Sequence, residues 1–185
     1  MSLNKKHQQR LLDLAKSSIQ HGLQTGRPLK VNLADIPAEL TEYRATFVTL
    51  QKHHQLRGCI GMLEAVRSLA EDIAENAYSA AFKDSRFSPL EAAELDELEI
   101  HLSILTPAEP VSFTFEQDLL TQLRPGIDGL ILQEGHRRGT FLPSVWEQLP
   151  KSEQFLRHLK QKAGLAPDYW SENIRIYRYR TELIG

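Results

Sequence analysis

The sequence holds one cysteine, and its neighbours decide what chemistry it could do. It lies in Leu56-Arg57-Gly58-Cys59-Ile60-Gly61, two residues after an arginine and between two glycines. If the segment is extended, Leu56, Gly58 and Ile60 share one face, and Arg57, Cys59 and Gly61 share the other. The apolar pair would then anchor the strand to the core, with Arg57 beside the thiol. A guanidinium there favours the thiolate, the form that acts as nucleophile or metal ligand. Gly58 and Gly61 add no bulk, so a ligand or a second backbone can come close. The competing assignment is ordinary packing, because free cysteine is among the most buried residue types and is usually inert.

A second polar group follows at Lys83-Asp84-Ser85-Arg86. This is a charged connector after a long apolar helix, and loops carry function more often than cores do. With Arg57, its Lys83 and Arg86 could hold a carboxylate or phosphate. The alternative is a solvated loop with an internal Asp84–Arg86 pair. His53, His54 and His101 could join Cys59 around a metal. Structural zinc sites, however, pair their cysteines, and one cysteine cannot. A Cys59–His101 pair requires the two strand faces to coincide. No glycine-rich phosphate loop, GxSxG elbow or HExxH motif occurs. The run Arg175, Tyr177, Tyr179 could stack single-stranded bases, though such faces more often pack on a helix.

These residues need elements to position them. Residues 4–21 have Leu11, Leu12, Ala15 and Ile19 at helical spacing, with Gly22 placed to end the helix. Thr46–Gln51 and Leu56–Gly61 read as a hairpin around Lys52-His53-His54-Gln55. A helix is expected from 64 to about 81 on a stripe including Val66, Leu69, Ile73 and Ala77. Ser88-Pro89-Leu90-Glu91 reads as a capping box starting another. Glu99–Leu105 alternates as a half-buried strand, with Ile100, Leu102 and Ile104 inward. A turn at 124–129 feeds the strand 130–132. A second turn, 134–139, precedes a return at 140–142. A short helix from Pro143, a helix over 152–163 ended by Gly164 and a strand over 174–180 complete the chain. Hairpins outnumber crossovers, so the fold class is α+β, a mostly antiparallel sheet flanked by helices.

At 185 residues the chain suits a single domain, 1–185, and its 41% apolar content is ordinary for a globular protein. A net charge of −2 gives no global field for nucleic acid. One cysteine excludes an internal disulfide, and no apolar run approaches the roughly 20 residues of a membrane span. The expectation is a cytoplasmic protein with no metal and no cofactor of its own.

LRGCIG at 56–61, AFKDSRFSPL at 81–90, PGIDGLIL at 125–132 and GTFLPSVWEQ at 139–148 occur in that order. On these blocks the chain resembles the AMMECR family, called AmmeMemoRadiSam system protein A in microbes, over residues 10 to 181. The resemblance implies an α+β fold of two unequal lobes with a cleft near the cysteine motif. It also implies association with a Memo-like protein, itself similar to extradiol dioxygenases, and with a radical S-adenosylmethionine protein. Carried over by position, the candidate site is Arg57, Gly58, Cys59 and Gly61 with Lys83, Asp84, Ser85 and Arg86. Asp128 and Thr140 form a second rank, and an aspartate before glycine is also a natural turn former. Three functions compete. The first is an accessory component binding a small anionic ligand or a partner protein. The second is an enzyme using Cys59 as nucleophile or redox thiol. The third is a regulatory protein associated with nucleic acid.

Overall fold

The computed structural model describes residues 2–185. Its contacts divide the chain into two compact units, one running to Leu105 and rejoined by Glu182–Gly185, the other Thr106–Thr181. Each has its own sheet and apolar core.

The first unit contains α1 (Lys5–Thr25), β1 (Thr46–Lys52), β2 (Gln55–Gly61), α2 (Leu69–Phe82) and β3 (Leu98–Leu105). Asn4 starts α1 by accepting the His7 N–H, and Gly26 ends it in the left-handed conformation. The expected stop at Gly22 is corrected: the helix runs through it. Gly22 is buried under the Tyr78 and Phe82 rings, where a Cβ would clash, so this glycine serves the α1–α2 crossing. The start of α2 also moves, to residue 69, because Ser68 and Glu71 form a reciprocal capping box. Val66 is therefore left outside the helix and exposed. Ser88-Pro89-Leu90 starts no helix either. Leu90 drops into the core and donates its N–H to the Ala81 carbonyl, and the capping box and 3-10 turn begin at Glu91.

The hairpin between β1 and β2 turns on His53 and His54, both at positive φ as a two-residue loop of this kind requires. Val48, Leu50, Leu102 and Ile104 face Leu11, Ala15, Ile19 and Ile73 of the helices, all buried. Fully burying each such side chain contributes roughly 1.5–3 kcal/mol. The strand order is β2-β1-β3 followed by the C-terminal strand Thr181–Ile184, so β2 is an edge.

The second unit contains β4 (Glu109–Pro110), α3 (Glu116–Gln122), β5 (Gly129–Glu134), β6 (Arg137–Phe141), α4 (Ser152–Lys162) and β7 (Arg175–Tyr179); the C-terminal strand is β8. The order β4-β7-β5-β6 is antiparallel at each pairing. The β5–β6 turn is tighter than 134–139, needing only Gly135 and His136. The helix α4 presents Phe155, Leu156 and Leu159 to Leu130, Leu132 and Ile176, and Trp146 stacks on Phe155 at 3.8 Å. No described helix is long and apolar enough to cross a membrane.

Candidate functional site

Around Cys59 the register departs from simple alternation. Leu50 pairs with Gly58, but Gln51 pairs with Leu56, so Arg57 is an extra residue in β2 and the strand bulges there. The expectation that Leu56 shares a core-facing side with Gly58 and Ile60 is thereby overturned. Leu56 is 43% exposed, while Ile60 packs on the core. Arg57 is not set beside the thiol by strand parity. Its Nε and Nη2 donate to Glu94 at 2.9 and 3.0 Å, and Nη2 also donates to the Ser88 carbonyl. Arg57 holds the Glu94 carboxyl down at about 2, helped by the Glu91 N–H and by Lys52.

Cys59 is half-buried and in no disulfide. It stands opposite Thr49, and Thr49 stands opposite His101, so the three side chains form one row across β2, β1 and β3. The faces carrying Cys59 and His101 therefore coincide. The Cys59 Sγ lies 3.1 Å from the Thr49 Oγ1. The Nε2 of His101 is buried without a hydrogen-bond partner, and Glu99 lies 4.0 Å from it. Among the described residues no basic side chain is hydrogen-bonded to the sulfur.

The backbone of Cys59 is held as well. On an edge strand its N–H points away from the sheet, and Asp84 Oδ2 accepts it at 2.9 Å. Asp84 also accepts the Arg86 N–H, Nε and Nη2, at 3.1, 3.0 and 2.7 Å. The Arg86 hydrogen bond is the main reason the Asp84 carboxyl titrates far below the usual carboxylate range, against an opposing burial effect. Arg86 is raised in return, first by Asp84 and in smaller part by the charge of Cys59. Phe87 lies between the two arginines, its ring centre 5.9 Å from Arg57 and 5.5 Å from Arg86.

The structure accordingly brings together Arg57, Cys59, Asp84 and Arg86, on β2 and the connector after α2. Lys83 is exposed, with its ammonium 5.4 Å from the Tyr78 ring centre, and Ser85 is exposed beside it. The space at the two glycines is used inside the fold. A Cβ on Gly58 would meet the Ala80 carbonyl of α2, and one on Gly61 would meet the Thr46 carbonyl and Phe47 ring. Asp128 and Thr140 belong to the second unit. Asp128 is fully buried, accepts both Nε and Nη2 of Arg124 on its Oδ1, and offers its carbonyl to the Trp146 Nε1. Thr140 donates to the Leu130 carbonyl. Both are explained by the turn and strand that carry them. The Arg175–Tyr179 run does not form one open face: Arg175 is exposed, but Tyr179 is buried, and burial pushes its hydroxyl up to about 12. His53 and His54 sit exposed in the hairpin turn near Glu97 and Glu99. Among the described residues no three potential metal ligands converge.

Four residues were not singled out from sequence: Thr49, Phe87, Glu94 and the buried Asp72. Asp72 accepts from Thr46 at 2.6 Å, from Asn76 at 2.9 Å and from both Nε and Nη2 of Arg67, fixing α2 to the start of β1. Period-two alternation marks Thr49 as facing away from the core, but its partner is ten residues away in sequence.

An α+β fold with a cysteine latched on an edge strand defines a class, and comparison with known proteins gives it a family. The AMMECR1 family model matches residues 12–184, and the chain belongs to that family. It is 37% identical to a protein of Methanothermobacter thermautotrophicus, over 94% of this chain and 91% of that one. It is 38% identical to protein MJ0810 of Methanocaldococcus jannaschii, over 83% and 79%. Its fold matches the crystal structure of uncharacterized protein PH0010 from Pyrococcus horikoshii, with a TM-score of 0.87, 33% identity and coverage of 98% and 92%.

Proposed function

We propose that this AMMECR1-family chain is an accessory component whose binding face is centred on Cys59 and takes a small anionic ligand or a partner protein. The observation that carries this is the Arg86–Asp84–Cys59 chain of contacts. A buried, ion-paired carboxylate holds the backbone of a half-exposed cysteine on an edge strand. Packing alone would not need such a latch, whereas a face that must present a fixed surface does. Glu94 takes the Nε and Nη2 of Arg57, whose Nη1 is buried without a hydrogen-bond partner, so the exposed cations left for an anion are Lys83, with no carboxylate partner among the described residues, and the exposed side of Arg86. Partners of the Memo-like and radical S-adenosylmethionine kinds fit this role, because they bring their own cofactors.

The test is native mass spectrometry of the chain co-expressed with those two proteins. A retained partner or non-covalent mass, lost in Lys83→Ala and Arg86→Ala, supports the reading. No added mass, or binding unchanged in both variants, rejects it. A second reading has one observation in its favour, the row of Cys59, Thr49 and His101 with a spare histidine nitrogen. If Cys59 is a nucleophile or redox thiol, the added mass is covalent, survives denaturation and disappears in Cys59→Ser.

A further inference from the structure

The second unit holds a cavity of about 250 Å³ that none of the motifs predicts. Its wall includes Arg124, Arg178 and Arg180, with Glu109 as the one carboxylate. The three guanidiniums are not equivalent. Arg124 is fixed by Asp128, which takes its Nε and Nη2 at 3.0 and 2.6 Å and its backbone N–H at 3.0 Å. That leaves Arg124 rigid, yet its side chain is still 45% exposed. Neither Arg178 nor Arg180 forms an ion pair among the described residues. Arg178 stands directly opposite Glu109 in the β4–β7 pair. The backbone of Arg180 is clasped by Thr106, whose N–H donates to the Arg180 carbonyl and whose Oγ1 accepts the Arg180 N–H, both at 2.8 Å.

Asp128 pairs with Arg124, and Glu109, whose charge also acts on Arg124, is the one carboxylate in the lining to set against the remaining two arginines. One positive charge is left over in a concave, backbone-fixed pocket. Two guanidiniums that lack ion-pair partners repel each other on one wall, and an oxyanion beside them offsets that repulsion while accepting forked hydrogen bonds. The residues Arg124 and Arg178 come from different elements, a turn and a strand, and both line the cavity. The Tyr179 hydroxyl takes no part, since it donates to the Phe141 carbonyl at 3.0 Å.

We infer that this pocket is a site for a small oxyanion, a carboxylate or phosphate, held by Arg178 and Arg180 against the rigid Arg124, with Glu109 limiting how much negative charge is accepted. It is separate from the Cys59 face and stands whether or not that face binds anything. The test is isothermal titration of the full chain at low ionic strength with inorganic phosphate and, separately, with succinate. Saturable binding at about 1 mM or tighter is expected for at least one of them. Arg178→Gln together with Arg180→Gln should weaken it by about tenfold or more. Glu109→Gln should tighten it, an opposite sign that a folding defect would not produce. Binding of phosphate alone assigns a phosphate-bearing ligand, and of succinate alone a carboxylate. No saturable binding of either at about 10 mM, or unchanged affinity in the double variant, would overturn the site.

Discussion

One carboxylate oxygen of Asp84 accepts the backbone N–H of Cys59 at 2.9 Å, and an Arg86 nitrogen donates to the same oxygen at 2.7 Å. The cysteine motif is thereby tied to a connector 25 residues further along the chain. Asp84→Ala removes the acceptor and opens the outer edge of β2. The amide of Cys59 should then exchange with solvent faster, while that of Leu130, in the other unit, keeps its rate. Hydrogen exchange followed by NMR reads both. Unchanged protection at Cys59 would mean that the latch holds nothing.

The thiol and Arg57 should behave independently. Arg57→Ala leaves Glu94, with its side chain only 18% exposed, without its bidentate partner. A loss of about 1–3 kcal/mol is expected in denaturant unfolding. The iodoacetamide labelling rate of Cys59 in the folded variant should stay within about twofold of wild type, because the guanidinium faces Glu94. A large drop in labelling would restore Arg57 as the group that tunes the sulfur.

The same pair gives a pH dependence. Glu94 is lowered to about 2 by Arg57, and Asp84 is lowered in the same direction by Arg86. A carboxyl whose folded value lies below its unfolded one stabilises the fold fully above the unfolded value, near 4, and loses that stabilisation as pH falls toward the folded one. Thermal stability should therefore fall from about pH 4.5 to 2. Glu94→Gln should be less stable at pH 7 but flatter over that interval. Parallel curves for variant and wild type would show that this pair is not the source.

How much of this was legible beforehand follows from which contacts are local. The inward set Ile100, Leu102, Ile104 and the hairpin turn at His53-His54 are properties of adjacent residues, and the sequence predicts them. The bulge at Arg57 is not such a property. Alternation assumes an unbroken strand, and one extra residue reverses the side on which Leu56 falls. The Asp84–Arg86 pair was open to prediction as an alternative, because its members are two residues apart. Its hold on Cys59 was not, because that depends on how α2 returns the chain to the edge. The helix α3 and strand β8 carry too few residues for a period to show: of the seven in α3 only Leu119 is buried.

Gly58 tests whether the motif is a packing requirement. Helix α2 runs so close to β2 that a Cβ at this position would enter the Ala80 carbonyl oxygen, a backbone atom that no rotamer change can move. Gly58→Ala must therefore push the edge strand away from the helix, costing about 1–3 kcal/mol in urea unfolding. The displacement should also reach Cys59, the next residue, by lengthening its hydrogen bond to Asp84. Its amide should lose protection, as in Asp84→Ala. A Gly58→Ala protein with wild-type stability and wild-type exchange at Cys59 would show that β2 has room the structure does not have. It would also remove the reason for a glycine at this position of the motif.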